Sequence, residues 1–75
     1  MQQVTLTGKL LRCRVTEEPT GARVDFLRAC AREGSRDRFS RYATHYYGTY
    51  IEAKESARSY LLAVERLTDA EIKET

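Results

Sequence analysis

Arginine is the residue type in this 75-residue chain whose number and placement predict the most chemistry. Ten of the thirteen basic residues are Arg, the side chain that forks onto phosphate and stacks on bases. Residues 1–50 carry nine basic and five acidic groups, a net charge of +4, whereas residues 51–75 carry four basic and six acidic groups, a net charge of −2. An Arg-rich basic region is what a phosphate-binding surface needs, so this pattern predicts contact with nucleic acid. The alternative is that Arg only keeps an exposed sheet face soluble.

The sequence offers little for catalysis or for metal binding. There is one histidine, His45, so an acid–base pair of two histidines is impossible. Cys13 and Cys30 fall at apolar strand positions, where a thiolate nucleophile is poorly stabilised. Together with His45 they are too few for a structural zinc site, which takes four ligands, and no Gly-rich phosphate loop occurs. We therefore expect a non-enzymatic protein with no metal and no cofactor.

Length and hydropathy predict one small domain, residues 1–75. Its longest apolar run has four residues, 61–64, far too few to cross a membrane. The N-terminal stretch "MQQVTLTGKL" lacks the apolar core of a signal peptide, so we expect a cytoplasmic protein without membrane contact.

Alternating apolar residues predict three antiparallel strands, at about residues 4–16, 23–32 and 38–47. In the first strand the alternation changes phase around Gly8, which predicts a bulge. The segment "EEPTGAR" (17–23) contains Pro and Gly, which are typical of turns, and so predicts a turn between the first two strands. In the second strand Leu27 fits the apolar side better if the phase changes again near Phe26. That change would place Arg23, Arg28 and Arg32 on the same open face as Arg12 and Arg14.

Residues from about 51 to 67 predict a helix. Ala53, Ala57, Leu61 and Val64 follow the three-and-four spacing of one helix face. The segment "TDAE" (68–71) is a capping-box pattern, which predicts a short second helix at about 69–74, unless the end of the chain is frayed. The predicted fold is α+β: a three-stranded antiparallel meander with one C-terminal helix packed on one face.

The junction between the last strand and the helix resembles a known family. Gly48, Thr49 and Tyr50, followed by an acidic, alanine-rich helix start, resemble the end of the AP2-type DNA-binding domain and of the related arm-binding domains of tyrosine integrases. The resemblance implies three strands in the DNA major groove and a helix behind the sheet. The matched residues belong to the scaffold, so the DNA-contacting role of Arg12, Arg14 and Arg28 rests on strand position alone.

Two other interpretations stay open. "VTLTGKL" and "PTGARVDF" resemble the opening hairpin of single-stranded-DNA-binding OB folds, in which residues 49–67 would have to form two further strands. Small α+β proteins without catalytic groups also include regulators that bind another protein, among them phage-encoded blockers of host defence complexes. An Arg-rich face would dock on an acidic protein surface as readily as on phosphate.

Our expectation from the sequence is a module that binds duplex DNA through the Arg-rich face of its sheet. Exposed tyrosines among the arginines would stack on bases or anchor an interface. Tyr42 and Tyr46 share a strand parity opposite to that of Phe39 and Tyr47, so one of these pairs is expected to be exposed. The candidate binding residues are Arg12, Arg14, Arg23, Arg28, Arg32, Arg36, Arg38, Arg41 and Tyr42.

Overall fold

The computed structural model describes residues 1–30 and 38–75. Within these ranges the chain forms an α+β fold of five antiparallel strands and one α-helix, in the sheet order β4-β3-β2-β1-β5. The elements are β1 (Gln3–Thr7), β2 (Leu11–Glu18), β3 (Gly21–Cys30), β4 (Arg38–Tyr47), α1 (Tyr50–Val64), a 3₁₀ turn (Asp69–Glu71) and β5 (Lys73–Glu74). The prediction of a three-stranded sheet is therefore wrong, for two reasons.

The first reason is that residues 4–16 form two strands instead of one bulged strand. The Gly8 N–H donates to the Leu11 carbonyl at 2.9 Å, closing a tight turn. Beyond it β2 runs back along β1, with Thr7 opposite Arg12. The phase change at Gly8 is thus the turn of a hairpin.

A carboxylate from the far end of the helix fixes this turn. Three consecutive backbone N–H groups, those of Lys9, Leu10 and Leu11, donate to Glu65 at 2.8–3.1 Å. A Cβ atom on Gly8 would lie 2.2 Å from Glu65 Oε1, so the carboxylate occupies the space that a side chain would need. Because Glu65 is more than 50 positions away in sequence, no local pattern predicts this turn.

The second reason is that the C-terminal segment joins the sheet. Lys73 and Glu74 pair with Thr7 and Leu6 of β1. Ahead of them, Ile72 is buried in the core. The predicted short helix is a single 3₁₀ turn, after which the chain is extended. Ion pairs tie this segment to α1: Glu74 accepts from Lys54 at 2.7 Å and from Arg58 at 2.5 Å.

The helix packs on the middle of the sheet, mainly against β2 and β3. Thr49 caps its first turn by accepting from the Glu52 N–H at 3.1 Å. Ala53, Ala57 and Leu61 form the buried stripe, whereas Val64, which was predicted to share it, is exposed. Two of these side chains are methyl groups, so the helix axis can approach the strands closely. The helix ends at Val64, earlier than predicted. In the described part of the chain no helix is both long and apolar enough to span a membrane.

Along the described strands the sheet contains one register irregularity, and it lies in β4. Phe26 pairs with Ala43, and the next residue, Leu27, pairs with Arg41, so Tyr42 is an extra residue. Between β2 and β3 the ladder is regular throughout. The predicted phase change near Phe26 therefore belongs to the partner strand, and β3 keeps its alternation.

Candidate nucleic-acid interface

One side of the sheet is covered by α1, and no described helix or strand packs on the other side. We call this second side the open face. The strand registers arrange it in three rows that run from β1 to β4. The rows are Thr7, Arg12, Leu27, Arg41; then Thr5, Arg14, Asp25, Thr44; then Gln3, Thr16, Arg23, Tyr46.

Four of the predicted arginines lie together on the open face: Arg12, Arg14, Arg23 and Arg41. Lys73 of β5, opposite Thr7, is a fifth basic residue on this face, and Glu18 and Asp25 are its carboxylates on the described strands. The described part of the face therefore carries a net charge of +3. A positive field of this kind attracts polyanions and accelerates their association at low salt.

The placement of Arg28 and Tyr42 on the open face is wrong. Arg28 pairs with Leu11, a residue of the covered side, and its guanidinium lies 5.8 Å from the centre of the Tyr42 ring. The Tyr42 hydroxyl is 2.7 Å from that of Tyr60 on α1. Both errors follow from the bulge: it lies in β4, so Arg28 keeps the regular alternation of β3 and Tyr42 turns towards the helix.

Three other candidates cannot be placed on either face. Arg32 and Arg36 lie outside the described residues, and Arg38 is described only as the first residue of β4.

A buried carboxylate holds two of the arginines. Asp25, only 4% exposed, accepts a hydrogen bond from Thr44 at 2.9 Å. It also lies 3.4 Å from Arg23 Nε and 3.8 Å from a terminal nitrogen of Arg41. Arg23 is engaged further by Glu18 at 3.7 Å. These two guanidinium groups are therefore oriented by the protein, and part of their charge is already neutralised.

The other two arginines are freer. Arg14 forms no ion pair with any residue in the described ranges. The Arg12 guanidinium lies over the Phe39 ring, 3.9 Å from its centre, in a cation–π contact, and the Arg12 side chain remains exposed to a ligand. On the last row Tyr46 is 71% exposed. The open face thus combines free guanidinium groups with an exposed aromatic ring.

Two features of this arrangement were not predicted from the sequence. Asp25 was not singled out, although a carboxylate between Val24 and Phe26 in a strand is an unusual residue and could have drawn attention. Of the aromatic residues, Phe39 and Tyr46 share the open face, and Tyr42 and Tyr47 turn towards the helix. The expectation that one of the two pairs is exposed is confirmed, since Tyr42 and Tyr46 are exposed and Phe39 and Tyr47 are half-buried. The members of each pair nevertheless lie on different faces, because the extra residue reverses parity between Phe39 and Tyr47.

The Cys13 thiol and the Tyr42 hydroxyl both have raised pKa values. Burial, with a smaller contribution from Glu65, raises the pKa of Cys13 to about 12. Desolvation, followed by the hydrogen bond with Tyr60, raises the pKa of Tyr42. Both groups therefore remain protonated at neutral pH.

Comparison with protein-family models, with curated proteins and with solved structures gave no match for this chain. The resemblance to the AP2-type domain therefore rests on the junction residues alone. The OB-fold alternative requires strands at residues 49–67, where the structure has α1.

Proposed function

We propose that this protein binds single-stranded nucleic acid on its open face. The observation that carries the proposal is the clustering of four arginines and an exposed tyrosine on a sheet surface that no described element covers. Arg12 and Arg14 contact phosphates. Bases stack on Tyr46 and on the Arg12 guanidinium, as on other single-strand-binding surfaces that combine cationic and aromatic side chains.

The width of the sheet favours a single strand over a duplex. Neighbouring strands lie about 4.8 Å apart, so β1 to β4 span about 14 Å between backbones before side chains are added. The major groove of B-DNA is about 12 Å wide and admits a helix or a two-stranded ribbon. The mode implied by the AP2-type resemblance needs a narrower sheet than this one. A flexible single strand can lie across a flat face without that constraint.

The charge of the face sets the expected strength of binding. Each phosphate neutralised on a single strand contributes a slope of about −0.7 to the dependence of log affinity on log salt. With two free and two partly neutralised arginines, we expect between two and four such contacts. Binding should therefore be moderate and sensitive to salt.

The test measures binding of a labelled single strand and of the duplex of the same sequence over a salt series. The key variant is Arg14→Ala, and the matched control is Arg28→Ala, since Arg28 is an exposed arginine of the same sheet on the opposite side. We expect Arg14→Ala to weaken single-strand binding and to reduce the salt slope by about 0.7, and Arg28→Ala to change neither.

Other outcomes would change the proposal in specific ways. Equal losses in the two variants would remove the assignment to the open face. Tighter binding to the duplex would reject the single strand. No binding to either nucleic acid at low salt would reject the function and favour the protein-binding regulator.

The stacking part of the proposal has its own test, Tyr46→Ala. Since Tyr46 is mostly exposed, its removal should leave the fold intact. Base stacking on an aromatic side chain contributes about 1–3 kcal/mol per base. We expect a loss of binding of that size with an unchanged salt slope, measured on the same oligonucleotides. A change in slope with no loss at high salt would mean that Tyr46 acts through charge placement and not through stacking.

A further inference from the structure

The two edges of the sheet differ in length and in protection. β5, at one edge, has two residues, Lys73 and Glu74, and both are charged. A short charged edge strand resists pairing with another chain. β4, at the other edge, has ten residues, and no described strand pairs with its outer side. Two of the large exposed aromatic side chains, Tyr42 and Tyr46, belong to it.

The bulge at Tyr42 gives β4 a symmetric pattern of faces. Phe39 and Arg41 lie on the open face, as do Thr44 and Tyr46. Ser40 and His45 lie on the covered side, and between them Tyr42 and Ala43 both turn to that side. The sequence of faces is therefore symmetric about the point between Tyr42 and Ala43. Residues at equal distance from that point, one on each side, lie on the same face of the sheet.

We propose that the protein forms a homodimer in which β4 pairs antiparallel with β4 of a second copy, about a two-fold axis between Tyr42 and Ala43. In this register every pair from 39 to 46 joins side chains of the same face. The pairs are Phe39 with Tyr46, Ser40 with His45, Arg41 with Thr44, and Tyr42 with Ala43. If the register between the two copies shifted by one residue, side chains of opposite faces would be paired. A shift by two residues would pair opposite faces next to the bulge.

The pairs in this register are chemically compatible. No two charged residues oppose each other, because each Arg41 faces Thr44 of the other copy. Phe39 and Tyr46 form two aromatic pairs on the open side. The bulge, which usually discourages pairing at an edge, falls at the axis, so the ladder hydrogen bonds come from the regular residues on either side of it.

The dimer also covers apolar surface beside the helix. A groove of about 410 Å³ runs between β4 and α1, and it is lined by Phe26, Tyr42, Ala43, His45, Tyr47, Ser56 and Tyr60. Four of these lining residues, Tyr42, Ala43, His45 and Tyr47, belong to the strand that would pair. In the dimer the two grooves adjoin, and Tyr42 of each copy lies beside Ala43 of the other. The two open faces become one continuous surface, whose arginines on the described strands number eight in place of four.

The primary test is sedimentation of the wild-type chain without nucleic acid, over a range of concentrations. We expect a monomer–dimer equilibrium with a Kd below about 1 mM, and a monomer throughout that range would overturn the proposal. Since no ligand is present, the outcome is independent of the proposed function.

Disulfide trapping tests the register. In a Cys30→Ser background the double variant Ser40→Cys/His45→Cys should form a covalent dimer on mild oxidation, since both positions are exposed and opposed across the axis. Cys13 is fully buried and does not compete. The control Ser40→Cys alone should not crosslink, because its two copies would be about 17 Å apart along the strands. Crosslinking by the single variant, or a dimer that the double variant does not trap, would reject this register.

Discussion

The two sides of the sheet are built from the same strands but are stabilised differently. The covered side packs Cys13, Val15 and Val24 against α1 with no exposure to solvent. The open side carries the arginines, and its buried members are Asp25, held by hydrogen bonding and charge, and Leu27, which lies between two arginines in its row. Long arginine side chains can shield an apolar neighbour while their charged ends stay in water.

This difference separates stability from binding. Truncation on the covered side removes packing that nothing replaces, whereas truncation on the open side exposes little that was buried. Substitutions on the two sides should therefore affect different measurements: the free energy of unfolding on one, affinity and its salt dependence on the other.

The largest effect on stability is expected for Leu61→Ala. Leu61 is fully buried where α1 meets the sheet, and its truncation should lower the free energy of unfolding by about 2–5 kcal/mol. The control is Val64→Ala in the same helix, where the side chain is 54% exposed and the cost should stay within about 0.5 kcal/mol. Urea denaturation measures both. Similar values for the two variants would show that the helix does not cover the sheet as described.

The sequence predicted the covered side better than the open side. The helix face repeats every three to four residues, and the strand cores alternate, so Ala57, Leu61 and Val15 could be placed from local spacing alone. Across the turn predicted within residues 17–23, the structure pairs Cys13 with Phe26. These features are local, or they depend on a single turn.

The features that sequence reasoning missed depend on partners distant in the chain. The turn at Gly8 is held by Glu65, and β5 exists because β1 offers it a free edge. Each of these features adds a strand to the sheet, and neither produces a recognisable pattern in the nearby sequence. The sequence pattern placed the change of alternation in β3, but the extra residue lies in β4. A change in register between two paired strands can come from an extra residue in either of them. That single ambiguity misplaced Arg28 and Tyr42.

The contact of Glu65 with the first turn gives the next largest effect. Its carboxylate accepts from three backbone N–H groups that have no comparable partner within the turn, and hydrogen bonds to charged groups contribute about 1.5–3 kcal/mol. Glu65→Ala should therefore destabilise the protein by about that much, since the N–H groups are partly exposed and regain some hydration. Glu55→Ala, an exposed acid of the same helix, is the control.

Hydrogen exchange identifies where the Glu65 variant acts. Amides 9–11 should exchange faster in Glu65→Ala, and amides of β3 should change only with global stability. Unchanged protection at residues 9–11 would mean that the turn is held by the Gly8–Leu11 hydrogen bond alone.

The smallest effect is a pH dependence that arises on the covered side. Burial raises the pKa of Cys13 from 9.0 to about 12, so above pH 9 the unfolded chain loses a proton that the folded chain keeps. Wild-type stability should thus be complete below about pH 9 and fall as pH rises towards 12, by at most about 1.4 kcal/mol per pH unit from this group.

Cys13→Ala has no such proton, and its cavity cost is the same at every pH. The difference in unfolding free energy between wild type and Cys13→Ala should therefore be constant from pH 6 to 8 and shrink by about 1 kcal/mol at pH 10. A difference that stays constant to pH 10 would mean that the thiol ionises equally well in both states, and hence that α1 does not seal the covered side around it.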